Sequence, residues 1–423
     1  MSVVGGRGGS SGRSDASPAR ARTYTWSGPI LVTDPAGRLS LKAQSFTESV
    51  IREMTRLNLE LNGPDRAINF AQGFPDFATD PRIVEAAATA LRDGFNQYAT
   101  TWGAPQLRKA VARKQSITWG REVDPEREVT VSCGATEAMI AAMLAAVDPG
   151  DEVVIFEPFY ENYGPDCIIS GAVPRYVTLH PPDWSFDPDE LRHSFNSKTR
   201  AIVVNTPHNP TGRVFSRSEL ELVAELCIEH DAIAITDEIY EHLVYRGEHV
   251  SIATLPGMAE RTITISGASK TFSVTGWRIG WLIAQPSLSA GIRKVHDFLT
   301  VGAAHPLQVA VAAALELPAS FYVELVGDYR ERRDAIITGL QDCGFDVSAP
   351  DGAYYVMAGI GAFGFEDDTA LARHLIEKVA VATVPGSSFF HNPREGRGHL
   401  RFSFPKRIET IERGVRALRS LRP

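Results

Sequence analysis

Residues 201–240 read AIVVNTPHNPTGRVFSRSELELVAELCIEHDAIAITDEIY, and the order of signals inside this stretch decides the fold. The runs at 201–206 (AIVVNT) and 232–236 (AIAIT) are short and continuously apolar, as in strands buried on both faces of a parallel sheet. Between them Ser216-Arg-Ser-Glu219 is a capping box, so a helix begins there. Strand, helix and strand make a βαβ unit with a right-handed crossover. The pattern continues on both sides. Residues 128–132 (EVTVS) predict a strand and 136–147 an Ala-rich buried helix stopped by Asp148-Pro-Gly-Asp151, after which VVIFEP opens another strand. Asp187-Pro-Asp-Glu190 offers an N-cap, a proline at the first helical position and a glutamate three residues after the cap, and predicts a helix start. TITIS at 262–266 is a further strand, so the body is α/β with a mostly parallel sheet and no internal repeat.

The chain has 423 residues, 43% of them hydrophobic, enough for a large core and two domains. Its net charge of −8 argues against a nucleic-acid partner. Cys133, Cys167, Cys227 and Cys343 are too far apart for a CxxC metal or redox pair and too few for a disulfide framework, which fits a reducing cytoplasm. No apolar stretch suggests a membrane span or a secretory signal. Residues 1–22 are Gly-, Ser- and Arg-rich and are expected to be a disordered tail, so the GxSxG match at Gly8–Gly12 lacks the strand and helix of a nucleophile elbow. Residues 23–39, with Tyr24, Trp26, Ile30 and Leu31, read as an arm that packs on the body.

In such sheets ligands bind at the carboxyl ends of the strands, where the unusual residues of this sequence fall. Gly134-Ala135-Thr136 opens a helix whose N–H groups and dipole can hold a phosphate, although a small-residue turn needs no ligand. Asn209 lies in the Pro207–Gly212 turn, and Asp237 ends an apolar strand where its charge requires a partner. Lys270 sits in Gly267-Ala-Ser-Lys-Thr271, with Arg278 eight residues on. The segment is not a nucleotide P-loop, because Ser269 replaces the glycine before the lysine. Pyridoxal phosphate accounts for the whole set: it needs a lysine for the Schiff base, an acid at the pyridinium nitrogen, a donor to the ring hydroxyl and phosphate ligands.

The ordered series Asn69–Phe77 (NFAQGFPDF), Asn96-Gln-Tyr98, Gly134-Ala-Thr-Glu-Ala138, Glu157-Pro-Phe-Tyr160, Asn205–Gly212, Asp237-Glu-Ile-Tyr240, Ser266–Arg278 and Leu400-Arg-Phe402 resembles the fold-type I class I/II aminotransferases, within them the kynurenine aminotransferase and glutamine transaminase K subgroup. The resemblance spans about 40–420. It implies a seven-stranded-type central sheet with helices on both faces, a large domain at 83–302, a small α/β domain from 40–82 and 303–423, and a homodimer with shared active sites. Lys270 would bond the cofactor and shuttle the proton, Asp237 would pair with the ring nitrogen, Asn209 and Tyr240 would reach the ring oxygen, and Tyr160 would stack on the ring. Gly134, Ala135, Thr136, Ser266, Ser269 and Arg278 would hold the phosphate, together with Tyr98 of the neighbouring subunit. Arg401 would grip the substrate carboxylate, with Asn209, Gly73 and Phe46 also at the substrate. By alternation alone Leu400, Phe402 and Phe404 share one strand face and Arg401 with Ser403 the other, where an arginine can equally be solvated.

The subgroup often has an aromatic residue where Ala135 stands, a departure that would enlarge or reshape the pocket here, and His305, Phe389 and Phe390 are candidate lining residues. Expected donors are aromatic amino acids, methionine, glutamine or kynurenine, and a 2-oxo acid is the acceptor. The alternative on the same residues is a β- or γ-lyase or a bond-forming enzyme. A DNA-binding regulator is disfavoured, since about 40 Gly/Ser/Pro-rich residues cannot hold a helix-turn-helix.

Overall fold

The computed structural model describes residues 37–421. The expected tail, and the arm up to residue 36, lie outside the described residues. Eight strands form the main sheet in the order Val129–Ser132, Gly280–Ala284, Thr262–Gly267, Ile233–Asp237, Thr199–Asn205, Glu152–Glu157, Val173–His180 and Ser185–Phe186. The seven-stranded expectation thus gains a two-residue antiparallel edge strand at Ser185–Phe186. Gly280–Ala284 runs antiparallel to both its neighbours, so six strands share one direction and direct their carboxyl ends to one edge. The register aligns Asn205 with Asp237, and Asp237 with Ile265.

The local signals explain the elements. The helix Arg217–Glu229 starts at the reciprocal capping box of Ser216 and Glu219. The helix Pro188–Ser194 is capped by Asp187, but Glu190 does not turn back to the cap: its carboxylate accepts the Thr178 N–H of the neighbouring strand at 3.0 Å. The helix Gly134–Ala146 begins two residues earlier than its sequence pattern, and its Ala138, Ala141, Ala142 and Met143 are buried against the sheet. Small side chains there let helix and sheet approach closely.

A second, antiparallel sheet carries Asp346–Val347, Tyr355–Gly359, His399–Ser403 and Val384–Pro385, in that order. Ile68–Asn69 pairs in parallel with Val381–Ala382, which joins the early segment to the C-terminal one. No single described helix is long and apolar enough to cross a membrane, and the one pair that reaches that length, His305–Leu315 with Ala319–Asp342, is bent by 93°.

Candidate active site

The carboxyl edge of the main sheet opens into a pocket lined by Ala135, Thr136, Tyr160, Tyr163, Asn205, Asn209, Asp237, Tyr240, Ser269, Lys270, Arg278 and Tyr355, among others. Each comes from a strand end, the loop or first helical turn that follows it, or the second sheet. Lys270 stands on the single turn Ala268–Thr271 directly after its strand. Its Nζ donates to the Gly73 carbonyl at 3.3 Å. Burial pushes this amine down to about 8; Arg278 and Arg401 add to the shift and Asp237 opposes it. A lysine so placed supplies neutral amine near neutral pH, as a nucleophile or base requires.

Asp237 is buried, and its carboxylate accepts from the Tyr163 hydroxyl at 2.9 Å and the Ile239 N–H at 3.2 Å. Burial outweighs these bonds and pushes the carboxyl up to about 6. The sign follows directly. Both folded and unfolded chains are ionised above about 6, so the burial penalty is then fully present; it disappears as the pH falls below the unfolded value of 3.8. Raising the carboxyl from 3.8 to about 6 costs the folded protein about 3 kcal/mol at neutral pH. Asp237→Asn is therefore expected to stabilise the cofactor-free protein by up to about 3 kcal/mol at pH 7.5, and the gain should shrink between pH 6 and 4. Urea unfolding of the two proteins across that range measures it, and an equal or lower stability of the variant at pH 7.5 refutes it.

Gly134 has φ +82°, and a Cβ built on it would lie 2.6 Å from Arg278 Nη2. Arg278 itself takes a left-handed backbone conformation that brings its Nη2 to 3.3 Å from Thr136 Oγ1. A glycine turn, a helix N-terminus and a guanidinium thus close on one anion-sized cradle. Gly134→Ala is expected to weaken pyridoxal phosphate binding about tenfold or more, since strain of about 1–3 kcal/mol adds to the displaced Arg278. Titrating cofactor into the stripped protein checks this, and unchanged affinity rules it out.

Arg401 is 1% exposed, so the solvated alternative does not hold. Its guanidinium lies between the rings of Tyr355, at 4.5 Å, and Phe389, at 4.8 Å. Nη1 donates to Asn209 Oδ1 at 2.9 Å and Nη2 to the Ala71 carbonyl at 2.6 Å. Its Nε is buried without a hydrogen-bond partner among the described residues, which suits a group still to receive an anionic acceptor. Asn209 is held in turn through its N–H by Asn205 Oδ1 at 2.7 Å.

Other expected residues fall elsewhere. Ser266 is outside the pocket lining, and its hydroxyl donates to Glu241 at 2.7 Å, beside the Lys114–Glu241 ion pair. Ser269, directly before Lys270, is the serine that faces the pocket. Tyr98 is 86% exposed and absent from the lining, and Phe46 is half-buried and also absent. His305 packs on Phe95 and bonds the Gln97 carbonyl at 3.0 Å. Phe389 and Phe390 are buried. Gly73 is enclosed: a Cβ there would lie 2.3 Å from the Tyr355 hydroxyl, and its carbonyl accepts from Tyr354 as well as Lys270. The sequence reading missed Tyr163, Tyr354 and Tyr355. Tyr163 ends the visible aromatic run Phe159–Tyr163, whereas the Tyr354–Tyr355 pair looks like ordinary strand. In the structure the Tyr355 and Tyr240 hydroxyls bond each other at 2.9 Å.

A buried lysine, a buried acid, an amide and an anion cradle on a fold-type I sheet define the class: a pyridoxal-phosphate enzyme. The family model for aminotransferase class I and II matches residues 65–418, and this chain belongs to that family. It is 40% identical over 389 residues to the probable N-succinyldiaminopimelate aminotransferase DapC of Mycobacterium tuberculosis, covering 89% of this chain and 97% of that one. Human kynurenine–oxoglutarate transaminase 1 is 38% identical over 379 residues, covering 82% and 90%. The solved structure of N-succinyldiaminopimelate aminotransferase from M. tuberculosis superposes with a TM-score of 0.87 at 39% identity, over 90% of this chain and all of that one. The protein is a pyridoxal-phosphate-dependent aminotransferase that moves an amino group from an amino acid to a 2-oxo acid. The lyase alternative finds no support among these relatives.

Proposed function

We propose that the donor is an L-amino acid with an aromatic, long apolar or uncharged polar side chain, such as phenylalanine, methionine, glutamine or kynurenine. The observation that carries this is the pocket wall. Apart from the groups given to the cofactor below, its lining is Tyr355, Ile239, Met139, Asn162 and Asn205, and Lys270 and Arg278 are its only cations, so it offers a side chain rings, methyls and amides rather than a further cation for a second carboxylate. Arg401, fixed by two aromatic rings and by Asn209, orients the α-carboxylate so that the Cα–H bond faces Lys270.

When bound, pyridoxal phosphate supplies the electron sink that makes loss of the Cα proton accessible. The remaining roles fall to this chain. Lys270 Nζ, which donates to the Gly73 carbonyl, would take the Cα proton and hold it for return. Asp237, held by Tyr163, would keep the ring nitrogen protonated, Asn209 and Tyr240 would donate to the ring oxygen, and Tyr160 would lie against the ring. Gly134, Ala135, Thr136, Ser269 and Arg278 hold the phosphate, with Tyr98 of a second copy. In the same reading the protein is a cytoplasmic homodimer with a large domain at 83–302 and a small domain from 40–82 and 303–423, whose closure excludes water.

A second reading is favoured by the 40% identity to DapC: an N-acylated diamino dicarboxylate as donor. Steady-state rates with phenylalanine, methionine, glutamine, kynurenine and N-succinyldiaminopimelate, each with 2-oxoglutarate, separate the two. A kcat/KM for the succinylated donor far above the others would overturn the uncharged-donor reading.

A further inference from the structure

A buried imidazole joins the first turn of the helix Gly134–Ala146 to the segment at Thr101. His296, on the helix Pro286–Thr300, is 1% exposed. Its Nδ1 lies 3.0 and 3.1 Å from the two carboxylate oxygens of Glu137, and its Nε2 lies 2.8 Å from the Thr101 carbonyl oxygen. With Glu137 ionised, a carboxylate and a carbonyl both accept from the ring, and both ring nitrogens donate only in an imidazolium. Burial opposes that charge; the Glu137 hydrogen bond and charge, with the Thr101 carbonyl and Asp297, outweigh it and raise the pKa. Thr300 Oγ1, 3.3 Å from Nδ1, is the other polar neighbour on its own helix. Cys133, which feels both Glu137 and Arg278, lies beyond Glu137.

The two partners of this ring have different duties. Glu137 belongs to the first turn of the helix Gly134–Ala146, and its carboxylate also accepts the Cys133 N–H at 3.1 Å, so it fixes the turn that forms the anion cradle. Thr101 follows the exposed Tyr98 by three residues, and its neighbour Trp102 is tied to the sheet edge by the Val131 N–H at 3.1 Å. His296 spans the gap between them. No other described side chain bonds both Glu137 and Thr101.

We propose that His296 is a positioning residue: as an imidazolium bonded through both nitrogens, it locks the first turn of the phosphate-facing helix to the segment that carries Tyr98. Cofactor-phosphate affinity and the aim of Tyr98 toward a second copy are then set by one buried ring. The inference rests on the phosphate reading of the cradle, and its test separates the two.

The test measures dissociation constants of pyridoxamine 5′-phosphate and of pyridoxamine for the full-length, cofactor-stripped protein between pH 7 and 9.5. Neither probe has an aldehyde, so Lys270 forms no bond with them. The wild type should prefer the phosphorylated probe strongly, and that preference should decline as the imidazolium loses its proton. His296→Gln, which keeps Lys270 and Arg278, should bind pyridoxamine 5′-phosphate about tenfold more weakly at pH 7, bind pyridoxamine unchanged, and show a shallower alkaline decline than the wild type, keeping only the part that Lys270, pushed down to about 8, gives both proteins. Equal loss for both probes, or an unaltered pH dependence, overturns the role of His296. A wild type with no preference for the phosphorylated probe overturns the cradle itself. Should the variant not fold, nitrogen-15 spectra of the wild-type histidines decide: one ring protonated on both nitrogens at pH 7.5 and lost in Glu137→Gln supports the proposal, and its absence defeats it.

Discussion

Lys270→Ala is expected to lower kcat for transamination by at least ~10⁴-fold, with little change in the urea unfolding midpoint. Lys270 is the one amine in the pocket lining, and no other lining residue can both form a carbon–nitrogen bond and carry a proton between two carbons. Its amine is already pushed down to about 8 by burial, so a useful fraction is neutral at physiological pH. Stability should hardly fall, because the side chain makes one long hydrogen bond of 3.3 Å and its charge is disfavoured where it sits. Lys270→Arg should not recover the activity, since a guanidinium does not give up its proton. Residual turnover above 1% in the alanine variant would refute the assignment, and the rate is read from 2-oxo acid production under saturating donor.

The second large effect is at Arg401. Arg401→Leu is expected to reduce kcat/KM by about 10²–10⁴-fold, from losing the charge-assisted grip and the orientation it enforces. The loss should be greatest for donors with small side chains, which have fewest other contacts to align them. Removing the guanidinium also leaves Asn209 Oδ1 and the Ala71 carbonyl without their donor, so a stability loss of about 1–3 kcal/mol accompanies it. Arg401→Lys separates these effects. An ammonium restores charge but lacks the planar fork that fits between Tyr355 and Phe389, so most of the kinetic deficit should persist. A lysine variant with wild-type kcat/KM would show that charge alone suffices and that the sandwiched geometry is irrelevant.

The polar pairs of the site lie far apart in sequence. Tyr163 is 74 residues from Asp237 and Arg401 is 192 from Asn209, yet each pair is joined by a bond of 2.9 Å. Such contacts explain why single substitutions at these positions should not be additive.

By itself the sequence determined the elements and their order. Apolar runs too short for helices, a capping box and Pro-Gly stops act within a few residues, so the strands ending at Asn205, Asp237 and Gly267 and the helix between the first two were legible, and with them Asn209, Asp237 and Lys270 at the strand ends. What only the tertiary structure decided were contacts made across the chain. The resemblance gave Ser266 and Ser269 the same phosphate role, but only Ser269 faces the pocket, because Ser266 turns to the Lys114–Glu241 pair. The charge of Arg401 gave no hint of a 1% exposure, which follows from Tyr355 and Phe389 closing over it. Glu137 and His296 are 159 positions apart and carry no local signature, so their pairing was invisible until the helices packed. The physical reason is range: propensity, capping and periodicity are read over one or two turns, whereas the desolvation that makes a buried charge demand a partner exists only after the core has formed.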